Sequence, residues 1–244
     1  MRTVMAALFV ILSIGISSQT PGPVPIESEP HYHLLLQNDF ARVYALQLAP
    51  HEETLPFVVQ HDSISETVQN GQPADRFARV TGSAFQPSGM PESYARGPFT
   101  NVWRNDTDET YRSITVELLQ PQGKVYGECT KIPGAQELGC QMGIQMGRSF
   151  FFNEKGSSAS LPSFKTDKTG VFNLILFGGR QAALDVSDNA LVIFDTESDV
   201  ELGNKGKKKL NFGSGDVLWV AAGSHLSVKN RSKQPDRLTL ILFR

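Results

Sequence analysis

Five histidines carry most of the chemistry this chain can offer, and their spacing sorts them. His31-Tyr32-His33 has the His-x-His spacing that sets two imidazoles on one face of a strand, which is the start of a metal site. A metal needs further ligands converging on the same point. The sequence places none beside this pair, so an edge-strand pair without metal is the simpler reading. His61-Asp62 can orient a bound molecule through a titratable hydrogen bond, or it can be a turn in which the two side chains meet. Asn101 and Trp103 alternate onto one strand face. If that face is interior, an amide and an indole wall a small-molecule pocket together with Phe57, Val59 and His61, or the same side chains simply fill the core. Lys205, Lys207, Lys208 and Lys209 sit on a glycine-bearing loop, either as an anion site or as a solvated hairpin tip. There is no Gly-x-Ser-x-Gly elbow, no phosphate-binding Gly-Lys loop and no cysteine placed as a nucleophile.

The elements that must position these residues read as strands. The chain has 244 residues, 40% of them apolar, which suits one large or two small globular domains. A formal charge of −2 gives no electrostatic basis for binding nucleic acid or an anionic membrane. Short β-rich runs stand between scattered Gly and Pro, and no long helical period occurs, which predicts an all-β sandwich or barrel. Strands are expected at 31–36, 41–48, 55–60, 64–68, 76–80, 99–104 and 113–119. After an irregular stretch they resume at 150–152, 171–177, 190–194, 210–212, 218–220, 226–229 and 238–243. Residues 82–92 read as a surface loop. Trp219, in an unbroken apolar run, is expected in the core, and Trp103, beside Arg104, is expected to face a pocket.

Met1-Arg2, an apolar run over 4–14 and the small-x-small pattern Gly15-Ile16-Ser17 read as a secretory signal. The run is too short to span a bilayer comfortably, so no stable membrane span is expected after cleavage. The expected compartment is extracytoplasmic, either periplasmic or secreted. Four prolines within 19–30 predict a mobile lead-in. In an oxidising compartment Cys129 and Cys140 are expected to form a disulfide.

The stretch from Gly215 to Asn230 reads as strand, tight turn, strand, and 97–105 is a weaker copy of it. Asn105-Asp106-Thr107 with Arg112 is matched by Asn230-Arg231-Ser232 with Arg237, and an apolar strand follows each. Both are glycosylation sequons, and the repeat is enough to explain them. These residues resemble the cupin superfamily of double-stranded β-helix, or jelly-roll, barrels. Gly215, Ala221 in a proline position, Gly223 and Asn230 fit the frame of the family's second motif, with Asp216 and Trp219 also usual. The opening Asn38-Asp39-Phe40-Ala41-Arg42-Val43-Tyr44, then Leu48-Ala49-Pro50, resembles the first strands of exported bacterial bicupins.

The resemblance implies an all-β chain of two tandem cupin barrels. The divisions expected are a signal peptide at 1–18, a flexible lead-in at 19–30, a first barrel at 31–120, a connector with the cysteine pair at 121–147 and a second barrel at 148–244. Many cupins hold a metal with His-x-His, Glu and a further His. Counted on this sequence, those positions fall on Phe57, Val59, a place near Ser63, and Asn101 in the first repeat. In the second repeat the last histidine position is Leu226, with His225 one residue off, and no His-x-His occurs in 171–184. A one-residue slip turns a strand side chain to the other face. No metal or other cofactor is therefore expected. The function expected is a non-catalytic small-molecule-binding or interaction module. The alternative is a cupin-type isomerase or dioxygenase with non-standard ligands drawn from His31, His33 and His61.

Overall fold

Strand alternation in this chain sorts side chains between three separate cores. The computed structural model describes residues 22–68, 80–81, 92–126, 158–195, 197–202 and 208–244. The expected signal, the strand at 150–152, Cys129 with Cys140, and Lys205 with Lys207 lie outside the described residues.

In chain order the strands of the first half are β1 (Val24–Pro25), β2 (Tyr32–Gln37), β3 (Ala41–Leu48), β4 (Phe57–Val59), β5 (Ser63–Thr67), β6 (Val80–Thr81), β7 (Glu92–Ala95), β8 (Phe99–Trp103), β9 (Tyr111–Leu118) and β10 (Val125–Tyr126). Those of the second half are β11 (Ser158–Thr166), β12 (Thr169–Leu176), β13 (Gln181–Val186), β14 (Asn189–Phe194), β15 (Ser198–Leu202), β16 (Lys208–Phe212), β17 (Val217–Val220), β18 (Ser224–Asn230) and β19 (Asp236–Phe243).

Each half supplies a pair of sheets, with β10 of the first half joining a sheet of the second. The first half gives β1-β4-β8-β6 and β2-β3-β9-β5-β7, and the second gives β13-β18-β15-β16 and β10-β11-β12-β19-β14-β17. The order β3-β9-β5-β7 matches β12-β19-β14-β17, and β4-β8-β6 matches β13-β18-β15. The two halves thus share one interleaved strand order, of the kind seen in jelly rolls.

Alternation along β3 shows how the cores divide. Tyr44, Leu46 and Leu48 point into the first half's interior, with Phe57, Val59, Trp103 and Tyr111. Ala41 and Val43 point the other way, into a core shared with Val171, Leu191, Ile193 and Ile241 of the second half. The five-stranded and six-stranded sheets therefore pack on each other. The second half's own interior is built mainly of apolar side chains, from Phe172, Leu174 and Phe194 to Val228, Leu238 and Leu240.

The shared core also holds charge. Glu66, fully buried, accepts a hydrogen bond from Thr239 Oγ1 at 2.5 Å and lies 3.4 Å from Arg237, which also pairs with Asp195 at 2.5 Å. Arg112 of β9 reaches the other half as well, donating to the Ser214 carbonyl at 3.2 Å. Gly215, at φ +85°, leaves room for that arginine, since a Cβ there would stand 3.0 Å from its Nη2.

The repeated asparagines are internal ties. Asn105 Nδ2 donates to the Ala49 and Glu109 carbonyls at 2.9 and 2.7 Å, and its Oδ1 accepts from the Thr107 N–H at 3.1 Å. Asn230 Nδ2 donates to the Leu176 and Gln234 carbonyls at 3.0 and 2.8 Å, and its Oδ1 accepts from the Ser232 N–H at 2.7 Å. Both residues are fully buried, so the sequon pattern in the sequence reflects a repeated hydrogen-bonded corner.

Several expectations need correction. The lead-in is docked from Val24 onward. β1 pairs parallel to β4, a 3-10 turn follows at Ile26–Ser28, and Ile26 is buried in the first core. The prolines do not prevent this, because a short edge strand tolerates a missing N–H. β7 starts at Glu92, the last residue of the expected loop, and pairs with β5, while 82–91 lie outside the described residues. β11, β13 and β15 were not expected as strands at all.

Trp103 does not face a pocket as expected, and Trp219 lies at a core as expected but not within one barrel interior. Trp103 is buried in the first interior at 6% exposure. Trp219 is only partly buried and lies at the shared core, stacked on Phe40 at 5.6 Å and tilted against Phe243 at 5.1 Å. Alternation explains it, since Leu218 and Val220 take the inward positions of β17.

Candidate functional site

The positions that would hold a cupin metal are brought together by the sheet register. Phe57 on β4 stands opposite Asn101 on β8, and Val59 stands opposite Phe99. Phe57, Val59 and Trp103 belong to one packed cluster and are almost wholly buried. Asn101 is also buried, and its Oδ1 accepts from the Val102 N–H at 2.9 Å. Ser63, at the start of β5, pairs with Glu117 and Ala95. Two apolar side chains, a hydroxyl and an amide turned back on its own strand are not a donor set for Fe, Mn, Ni or Zn. In the second half, Leu226 points into an apolar interior, while His225 lies on the opposite strand face, with Nδ1 2.7 Å from Asp185 Oδ1. Among the described residues no group of three or more His, Cys, Asp or Glu could hold a metal ion.

His61 is the one member of the expected pocket set that reaches solvent, its side chain being 41% exposed. Its partner is not Asp62. Nδ1 lies 2.9 Å from Glu117 Oε1, and that oxygen also accepts from the backbone N–H of Gln60 and of His61, each at 3.2 Å. Arg42 stands 3.5 Å from the other carboxylate oxygen. An ionised carboxylate only accepts, so it fixes the proton of the neutral ring on Nδ1 and leaves Nε2 as an acceptor. Asp62 instead takes a short hydrogen bond from the Tyr94 hydroxyl and one from the Gly97 N–H at 2.9 Å. Burial, then the bond to Asp62, pushes the Tyr94 hydroxyl pKa well above its usual range, so it stays a donor.

His31 and His33 do not act as a pair. His33 is exposed, whereas His31 is clasped between two carboxylates. Its Nδ1 lies 2.9 Å from Glu29 Oε1 and its Nε2 3.0 Å from Glu52 Oε1. Two ionised carboxylates facing both ring nitrogens require both to carry protons. Burial pulls the ring pKa down, but the bonds to Glu29 and Glu52 outweigh it, and the net shift is upward from 6.5. The clasp ties the N-terminal segment to the turn after β3. A raised folded pKa means that the stabilisation is fully present below about pH 6.5 and fades as the pH rises through the folded value. Hydrogen exchange at residues 24–30 should therefore quicken with pH beyond its intrinsic rise. His31→Ala should abolish that extra dependence, and an unchanged profile in the variant would refute the clasp.

A second feature lies on the outer face of β13-β18-β15-β16, where a cavity of about 370 Å³ is lined by charged and polar side chains of all four strands. Nothing in the spacing of single residues pointed to it.

No family model matches the sequence, and no curated protein matches it. Solved structures do. AerE from Microcystis aeruginosa superposes with a TM-score of 0.55 at 12% identity, over 91% of this chain and 98% of that one. The 7S globulin of Momordica charantia gives 0.50 at 9% identity, over 86% and 81%. A cupin 2 conserved barrel domain protein from Leptotrichia buccalis gives 0.45 at 11% identity, over 87% and 88%. The first two, together with the strand order, show a shared all-β fold; at such identities the likeness is one of fold alone.

Proposed function

We propose that this chain is an extracytoplasmic bicupin, two jelly-roll barrels in tandem, that works as a non-catalytic binding or interaction module without a transition metal. The observation that carries the reading is the occupancy of the ligand positions: Phe57, Val59, Ser63 and Asn101 in the first half and Leu226 in the second. A metal cannot be held where aromatic and aliphatic groups replace its donors. Burial of Phe57, Val59 and Trp103 in a packed core turns attention to the margin at His61 and to the outer sheet face as places for a small molecule. Export is supported by the basic start, apolar run and small-x-small pattern of residues 1–18. In the described residues no helix is long and apolar enough to cross a membrane.

A metal-dependent isomerase or dioxygenase using His31, His33 and His61 has less support. His31 is engaged by Glu29 and Glu52, and His61 by Glu117. Metal content of the purified protein is the deciding experiment.

A further inference from the structure

The cavity on the outer face of the second half is built by strand register. Val200, Leu226, Val228 and Ala182 point into the core, so the residues between them point out. Two cross-strand rows result. In one, Lys229 of β18 stands between Gln181 of β13 and Asp199 of β15, with Asn211 of β16 beyond. In the other, Ser227 stands between Ala183 and Glu201, with Lys209 beyond.

The charges in these rows are not evenly satisfied. Asp199 is taken by Arg231, whose Nε lies 3.0 Å from its Oδ1, and Glu201 lies 3.6 Å from Lys209 Nζ. Gln181 Nε2 donates to Ser227 Oγ at 2.6 Å, which fixes the amide against the floor. Lys229 is exposed and has no ion pair among the described residues, although Asp199 stands directly across from it. Of the charged groups lining the cavity, three are cations and two are carboxylates. The surplus positive charge is that of Lys229, in the middle of the sheet. Around it are groups that bond hydroxyls well: carboxylates already oriented by cations, a fixed primary amide, Asn211 and a serine. No aromatic side chain lines the cavity, so recognition there rests on hydrogen bonds and charge. The volume lies in the range of small-molecule sites.

We propose that this face binds a small hydroxylated carboxylate of the acidic-sugar class, its carboxylate on Lys229 and its hydroxyls on Asp199, Asn211 and Gln181. The inference rests on the reading of the chain as a binding module and gives that module a site away from both interiors.

The test is a titration of the full-length mature protein with sodium glucuronate, followed by amide chemical shifts, with glucose and sodium acetate as separate probes. Saturable shifts confined to β13, β15, β16, β18 and Arg231 are expected for glucuronate, at about millimolar affinity. Glucose and acetate should each bind about tenfold more weakly, as should glucuronate to Lys229→Ala, an exposed substitution that leaves the core intact. Acetate binding as well as glucuronate, absence of saturable shifts at these strands, or a Lys229→Ala variant that binds unchanged would each overturn the proposal. None of these outcomes alters the metal content of the protein, so this site and the metal-free reading fail separately.

Discussion

Trp103→Ala lowers the unfolding free energy by about 3–5 kcal/mol, through lost transfer energy and the cavity left behind. The indole is buried at 6% exposure in the first interior, beside Tyr111 at a ring separation of 6.4 Å. Trp219→Ala costs distinctly less. Its ring is only partly buried, and what it loses is mainly its stacking on Phe40 and its tilted contact with Phe243. Urea unfolding curves of the two variants make the comparison. A larger loss at Trp219 would mean that the shared core, and not the first interior, limits the stability of the fold.

Glu117→Ala is the second severe change, at about 2–3 kcal/mol. Glu117 is buried, and it is the acceptor for the His61 ring and for two backbone N–H groups, with Arg42 close by. Removing it leaves the His61 ring and two backbone N–H groups without their carboxylate acceptor. Glu117→Gln should recover part of the loss, since the amide oxygen can still accept although its NH2 meets other donors. Chemical denaturation of both variants tests this. A Glu117→Ala protein as stable as the parent would show that water replaces the carboxylate freely and that His61 is not held.

The frame of the fold was legible because alternation and repetition are local signals. The split of Val43 from Tyr44, and the matched tails after Asn105 and Asn230, can be read without knowing what they touch. The residues standing at the counted motif positions, Phe57, Val59 and Asn101, were legible too, since counting along a motif needs no third dimension. The partner of His61 was not. The sequence offers Asp62 next door, while the structure supplies Glu117 from 56 residues away, across β5 and β9 pairing. The outer cavity was hidden for a related reason. β13 and β15 carry Gln181, Asp185, Asp199 and Glu201, residues poor in intrinsic strand preference. They are strands because β18 between them pairs with both. Trp219 was misplaced by reading an apolar run as a single buried face, when a four-residue strand between two cores has two.

The absence of a metal site is the claim on which the functional reading stands. Protein expressed in medium supplied with iron, manganese, nickel and zinc, then purified without chelator, should be analysed for all four by elemental mass spectrometry. The positions of Phe57, Val59, Asn101 and Leu226 predict metal far below a stoichiometric amount, removed entirely by brief dialysis. A stoichiometric transition metal that survives dialysis against a chelator would contradict the account and restore the enzyme reading.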